Sequence, residues 1–145
     1  MYFGYYEHSL DDKGRLMIPS RLREGLVSGS PLYVLRGFDG CLAIYNESAF
    51  NKLYSSLEEY NYNDKNARNY IRALLSSVTQ LNVDKLGRIQ IPVTILEKYK
   101  ISRETAVIGV GDHFEIWDKK IYQEYEKNNS EAFEIIAEQL VKNNG

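Results

Sequence analysis

One cysteine, three prolines, two histidines and one tryptophan are all that a chain of 145 residues contains of these types. Cys41 alone can close no internal disulfide and build no multi-cysteine zinc site, which excludes a disulfide scaffold and fits a reducing cytoplasm. No apolar run approaches the roughly 18 residues that cross a bilayer. The segment from Met1 to His8 has neither the basic opening nor the apolar stretch of a secretory signal. A cytoplasmic protein without membrane contact is expected. Catalytic groupings are equally scarce. His8 and His113 stand alone, and Asp112-His113 has no serine or cysteine in a nucleophile-elbow context. Gly109-Val110-Gly111 is too short for a phosphate loop, and metal-ligand spacing is missing. No enzyme, cofactor, metal or small-molecule substrate is predicted.

What is present describes a soluble globule, 43% hydrophobic and 26% charged, forming one domain or two halves with a shared core. The net charge of −2 argues, taken whole, against a nucleic-acid partner, but its distribution does not. Residues 65–103 hold Lys65, Arg68, Arg72, Lys85, Arg88, Lys98, Lys100 and Arg103 against only Asp84 and Glu97. Both flanks are acidic. A basic surface fits this block, and its field matters more to an anionic partner than the molecular total.

The chain contains itself twice. Asp11-Asp12-Lys13-Gly14-Arg15-Leu16-Met17-Ile18-Pro19 recurs, 73 residues on, as Asp84-Lys85-Leu86-Gly87-Arg88-Ile89-Gln90-Ile91-Pro92. Leu42-Ala43-Ile44-Tyr45 then answers Phe114-Glu115-Ile116-Trp117, and Phe50 and Leu53 answer Tyr122 and Tyr125, at 72. Two copies are too few for a solenoid and fit a pseudo-symmetric domain in which each half completes the other's sheet.

Within the first copy, Tyr5–Leu10 and Arg15–Ile18 are expected as strands around an Asp-Asp-Lys-Gly hairpin turn. Period two sends Leu16 and Ile18 inward with Ile89 and Ile91, and Arg15, Met17, Arg88 and Gln90 outward. Short helices are expected over Pro19–Leu26 and Pro92–Tyr99, and strands over Leu32–Arg36, Cys41–Tyr45, Thr105–Val110 and His113–Trp117. Between the copies, Ser48–Tyr60 follows Asn46 as a cap, and Asp64–Ser76 has apolar residues at helical spacing. Ser130–Lys142 reads as a last helix capped by Ser130, with Phe133, Ile136, Ala137, Leu140 and Val141 as its stripe.

The repeated turn carries the chemistry. Its Asp can accept amide hydrogen bonds from inside the turn, and its Gly supplies the positive φ that a Cβ would penalise. The Arg that follows leaves on the outward face of a rigid tip, where it can meet a phosphate or fork onto a guanine edge. An Arg merely pairing with its own Asp is the plainer account of one copy. Turn formation, however, does not need Arg twice. Tyr2, Tyr5, Tyr6, Tyr60, Tyr62, Tyr122 and Tyr125 fit half-buried packing or subunit contacts better than base stacking. Cys41 reads as packed.

Gly14-Arg15-Leu16-Met17-Ile18-Pro19-Ser20-Arg21-Leu22-Arg23 and Gly87-Arg88-Ile89-Gln90-Ile91-Pro92 each resemble the signature of AbrB/SpoVT-type bacterial DNA-binding domains. Two such units joined by a helical insert are similar to the MraZ family of transcriptional regulators, over essentially the whole chain. The resemblance implies an α+β fold of two tandem AbrB-like repeats forming a pseudo-symmetric swapped-hairpin (double-split) β-barrel with flanking helices. Residues 1–76, with the insert, and 77–145, with the last helix, would be its halves. It implies a ring of many subunits on double-stranded DNA, at short direct repeats upstream of the division and cell-wall gene cluster, including the protein's own operon. Such a protein works in the cytoplasm at the nucleoid. The DNA-binding positions carried over are Asp11, Lys13, Gly14 and Arg15, then Asp84, Lys85, Gly87 and Arg88, with Arg21 and Arg23. Thr94 replaces Arg21 in the second copy, and Glu97 stands near the place of Arg23 or Glu24. Unequal contacts are therefore expected, with Lys13-Gly14-Arg15 on base edges and Lys85 with Arg88 on phosphate or a second base. An antitoxin-like role needs a disordered neutralising tail, which the helical pattern of 130–142 opposes. An oligomeric scaffold without nucleic acid is the alternative from another class.

Overall fold

The structure is a computed structural model that describes residues 1–144. Gly145, the last residue of the expected second half, lies outside the described residues. The expected inward rows are the core: Leu16, Ile18, Ile89 and Ile91 are all buried and pack with Leu32, Val34, Leu42, Ile44, Val107, Phe114 and Ile116 in one cluster. Residues of both copies interleave there, so the two copies share this cluster.

The strands are β1 (Tyr2–Ser9), β2 (Arg15–Met17), β3 (Pro31–Arg36), β4 (Leu42–Asn46), β5 (Thr79–Asn82), β6 (Arg88–Gln90), β7 (Glu104–Gly111) and β8 (His113–Asp118). Six form an antiparallel sheet in the order β1-β7-β8-β4-β3-β5, while β2 and β6 form a separate antiparallel pair. The six-strand order reads the same from both ends when each strand is exchanged for its counterpart in the other copy. Register obeys the same exchange: Glu7 faces Ala106, and Gln80 faces Tyr33, each partner 73 residues from its equivalent.

The expected hairpin between the first two strands is not formed. β1 takes all its partners from β7 and β2 takes its own from β6, so each joins the opposite copy. The reason is burial. Pairing β2 with β6 sets Leu16 directly opposite Ile89 and puts both apolar rows into one core. The turn itself survives, closed by Gly14 N–H donating to the Asp11 carbonyl at 3.0 Å.

Helices α1 (Glu47–Leu57) and α2 (Lys65–Leu75) cover one half of the sheet's other face, where Leu57 and Leu74 meet Leu35 and Ala43. Asn46 and Asp64 cap them by accepting from the amides of Ala49 and Ala67. α4 (Lys119–Asn129), displaced by 72 residues from α1, covers the other half, with Tyr122 and Tyr125 against Trp117. α3 (Val93–Lys98) follows Pro92 as expected. Its counterpart after Pro19 is only a 3-10 turn, Ser20–Leu22, because the chain turns again at Arg23 and Gly25 is a poor helix former. The last helix also differs from expectation. Ser130 lies in a 3-10 turn (Ser130–Ala132) that joins α4 to α5 (Phe133–Asn144); it is the C-cap of α4, its amide donating to the Glu126 carbonyl, and caps no helix start. α4 already runs to Asn129, leaving no free helix start at Ser130. α5 buries none of its residues; Phe133, Ile136, Leu140 and Val141 are exposed. No helix among the described residues is long and apolar enough to cross a membrane.

Candidate nucleic-acid interface

Each Asp-x-x-Gly-Arg turn is closed by its own carboxylate. Asp11 Oδ1 accepts from the amides of Lys13 and Arg15, both at 2.9 Å, and Oδ2 accepts from Arg15 Nε. Asp84 repeats this: Oδ1 accepts from the amides of Leu86 (2.9 Å) and Arg88 (2.8 Å), and Oδ2 from Arg88 Nε at 2.8 Å. Gly14 and Gly87 stand at φ +76° and +83°, a conformation that L side chains rarely adopt. Each turn is also tied to the opposite copy, since Ile91 N–H donates to the Gly14 carbonyl at 2.9 Å and Ile18 N–H to that of Gly87 at 3.1 Å.

The plainer account of the arginines is thus half right. Both pair with their own Asp, and the guanidinium hydrogen bonds found among the described residues run through Nε. That leaves the paired Nη groups of each for a partner outside the chain, on side chains 30% and 24% exposed. A guanidinium held at Nε is pre-aimed, so less rotamer freedom is lost when its outer edge binds.

The ladder between β2 and β6 carries one turn at each of its ends. Arg15 lies opposite Gln90 and Met17 opposite Arg88, all on the outward face. Arg15 and Arg88 are therefore diagonal neighbours, a relation that sets their backbone positions about 7–8 Å apart. Gln90, an outward residue of β6, ties this face to the first turn by donating from Nε2 to the Lys13 carbonyl at 3.0 Å. Lys13 and Lys85 are exposed. They are not equivalents, since 73 residues separate Lys13 from Leu86 and Asp12 from Lys85. The second turn accordingly presents an apolar Leu86, 59% exposed, where the first presents a lysine. Arg21 is exposed, whereas Arg23 is half-buried and lies against the second turn.

The basic block of 65–103 is not one surface. Lys85 and Arg88 belong to the second turn, while Arg68 on α2 turns back to donate to the carbonyls of Tyr62 and Asn63. Lys98 and Lys100 line a 780 Å³ groove on the helix-covered side, with Tyr45, Tyr70, Tyr99 and His113. Arg103 reaches the first turn, pairing with Asp12 at 3.1 Å and offsetting its charge. The run of cations in sequence hid this, because chain proximity says nothing of which sheet end a residue reaches. Most of the weighed tyrosines pack within the chain: Tyr2 edge-on to Phe114, Tyr5 against Tyr122, and Tyr60 against Tyr70. Cys41 is buried, donates to the Phe38 carbonyl, and has its thiol pushed up by burial.

The Arg15 amide first, then its guanidinium and the Lys13 amide, hold the Asp11 carboxyl down to about 2. The Arg88 amide shifts Asp84 in the same direction. Both carboxyls titrate lower in the folded chain than in the unfolded one. The stability they give is therefore complete above about pH 4 and is lost as pH falls toward 2. Thermal melts from pH 6 to 2 should show the D11N/D84N variant with a lower Tm at pH 6 and a flatter decline below pH 4.

The family model described as "MraZ protein, putative antitoxin-like" matches residues 1–73 and again residues 74–144. The chain is 38% identical over 140 residues to the protein named Transcriptional regulator MraZ of Mesoplasma florum, covering 97% of this chain and 95% of that one. It is 36% identical over 141 residues to the protein of the same name from Lactiplantibacillus plantarum, covering 97% and 99%. With the Ureaplasma parvum protein of that name, identity is 34% over 143 residues, 99% of each chain. Two family matches laid end to end, each containing one Asp-x-x-Gly-Arg turn, make this chain a member of the MraZ family.

Proposed function

We propose that the protein is a sequence-specific DNA-binding transcriptional regulator. It acts as a ring of many subunits on short direct repeats upstream of the division and cell-wall gene cluster, its own operon included, at the nucleoid. The observation that carries this reading is the pair of carboxylate-locked Arg15 and Arg88 tips on one outward ladder. Asp11, Gly14, Asp84 and Gly87 hold the tips. Lys13 with Arg15 takes base edges, Lys85 with Arg88 takes phosphate or a second base, and Arg21 adds a phosphate contact. The names of the similar proteins support regulation of transcription. In the same reading the two copies, with their exchanged strands, make a swapped-hairpin, double-split barrel whose halves are residues 1–76 and 77–145.

Magnitudes explain why repetition is part of the proposal. One bidentate Arg–guanine pair discriminates by about 1–3 kcal/mol, too little for two tips on an acidic molecule. Repeated tips on repeated sites gain about 10²–10⁴ through effective concentration. An antitoxin-like role finds less support, because the stretch that would neutralise a toxin is helical in α4 and α5. The test is titration against the gene's own upstream DNA and a scrambled duplex over a salt series. Specific binding with a steep negative salt slope is expected. Absence of binding would leave the oligomeric scaffold, and unchanged affinity in a monomeric variant would remove the ring.

A further inference from the structure

The side chain that props each turn comes from the other copy, and the two props differ. A Cβ added at Gly14 would meet the Ile91 carbonyl at 2.8 Å and, beyond it, Leu96 Cδ1 at 3.5 Å. At Gly87 the same construction overlaps Arg23 Nη1 and reaches Arg23 Cδ at 2.8 Å and Cζ at 3.2 Å. Arg23 and Leu96 are themselves 73 residues apart. They are equivalent positions of opposite chemistry.

One guanidinium nitrogen of Arg23 is committed to its own chain. Nη1 donates to the Leu86 carbonyl at 3.3 Å, and Nε is buried without a hydrogen-bond partner among the described residues. A buried, unpartnered N–H destabilises the fold. For stability alone, an apolar prop such as Leu96 serves better. What arginine adds at this position is the hydrogen bond to Leu86, which fixes the peptide just before Gly87.

We propose that Arg23 is a positioning residue: it sets the second turn and acts on DNA only through the placement of Lys85 and Arg88. The proposal rests on the DNA-binding reading above and revises the expectation that Arg23 touches DNA itself. It requires that a change in the first copy be felt at the second copy's tip and not at its own.

The test is a double-variant cycle on the full chain. R23M, R15A and R88A, singly and in pairs, are titrated with the upstream duplex over a salt series. Hydrogen exchange at the amides of Leu86 and Gly87 is followed without DNA. R23L, which copies Leu96, is the second variant should R23M fold poorly. R23M is expected to speed exchange at Leu86 and Gly87 severalfold, leaving Lys13 and Gly14 unchanged. Specific binding should weaken about three- to tenfold, with a change in salt slope no larger than that of R88A. That loss should shrink in the R88A background, to the part carried by Lys85, and persist in full with R15A. Additive losses in both backgrounds, or a slope reduced by about 0.9 that persists in the R88A background, mark a phosphate contact of Arg23 itself and overturn the proposal. Unchanged exchange at Leu86 and Gly87 overturns it too. If the unaltered protein binds no specific DNA, the DNA-binding reading falls separately, and the exchange comparison alone decides whether Arg23 sets the turn.

Discussion

Replacing Arg15 by alanine is expected to abolish preference for the upstream duplex over scrambled DNA while leaving the fold and assembly intact. The side chain leaves the outward face of β2, and no core residue depends on it. Its Nε bond to Asp11 is lost, but Asp11 keeps the two amides, of Lys13 and Arg15, that close the turn. Loss of a bidentate base contact costs about 1–3 kcal/mol per site, roughly 5- to 150-fold, and the loss multiplies wherever several subunits engage. R88A should weaken binding less selectively, with part of its effect in the salt slope. Electrophoretic shift or anisotropy titrations with both duplexes, beside size-exclusion chromatography and circular dichroism, separate these outcomes. If R15A unfolds, the turn is only structural.

The largest stability effect should come from the centre of the same ladder. Leu16 and Ile89 face each other across the axis that relates the copies, and both are essentially inaccessible to solvent. Truncating either to alanine removes buried methylenes and leaves a cavity, at about 2–5 kcal/mol. A domain of this size has a total stability of about 5–15 kcal/mol, so L16A or I89A alone removes a large part of it. Because both side chains enter one cluster, the two variants should lose similar amounts, read as lowered urea midpoints with an unchanged m-value. A marked inequality would mean that the copies do not share a core.

Much of this arrangement was legible in the sequence, for reasons that differ by element. The inward placing of Leu16, Ile18, Ile89 and Ile91 followed from period two, which any pairing partner preserves. Asn46 and Asp64 mark helix starts because capping is local. The partner of each strand was not legible, since the choice between a local hairpin and an exchanged one rests on burial that only three dimensions reveal. β5 was missed as a strand, although the 73-residue displacement maps Tyr6–Ser9 onto Thr79–Asn82. At the candidate interface the Asp, Gly and Arg pattern identified both turns. The pairing of Arg103 with Asp12, and the lie of Arg23 over Gly87, join residues 91 and 64 positions apart and leave no local trace.

The exchange of strands also bears on how the chain comes into being. β1 spans Tyr2 to Ser9, but its partners run from Gly111 back to Glu104. During synthesis at about 5–20 residues per second, that first strand waits roughly 5–20 s for the segment that completes it. Through that interval its four aromatic residues, Tyr2, Phe3, Tyr5 and Tyr6, have no native neighbour strand. The cluster that both copies share cannot close until β7 has been made, late in synthesis.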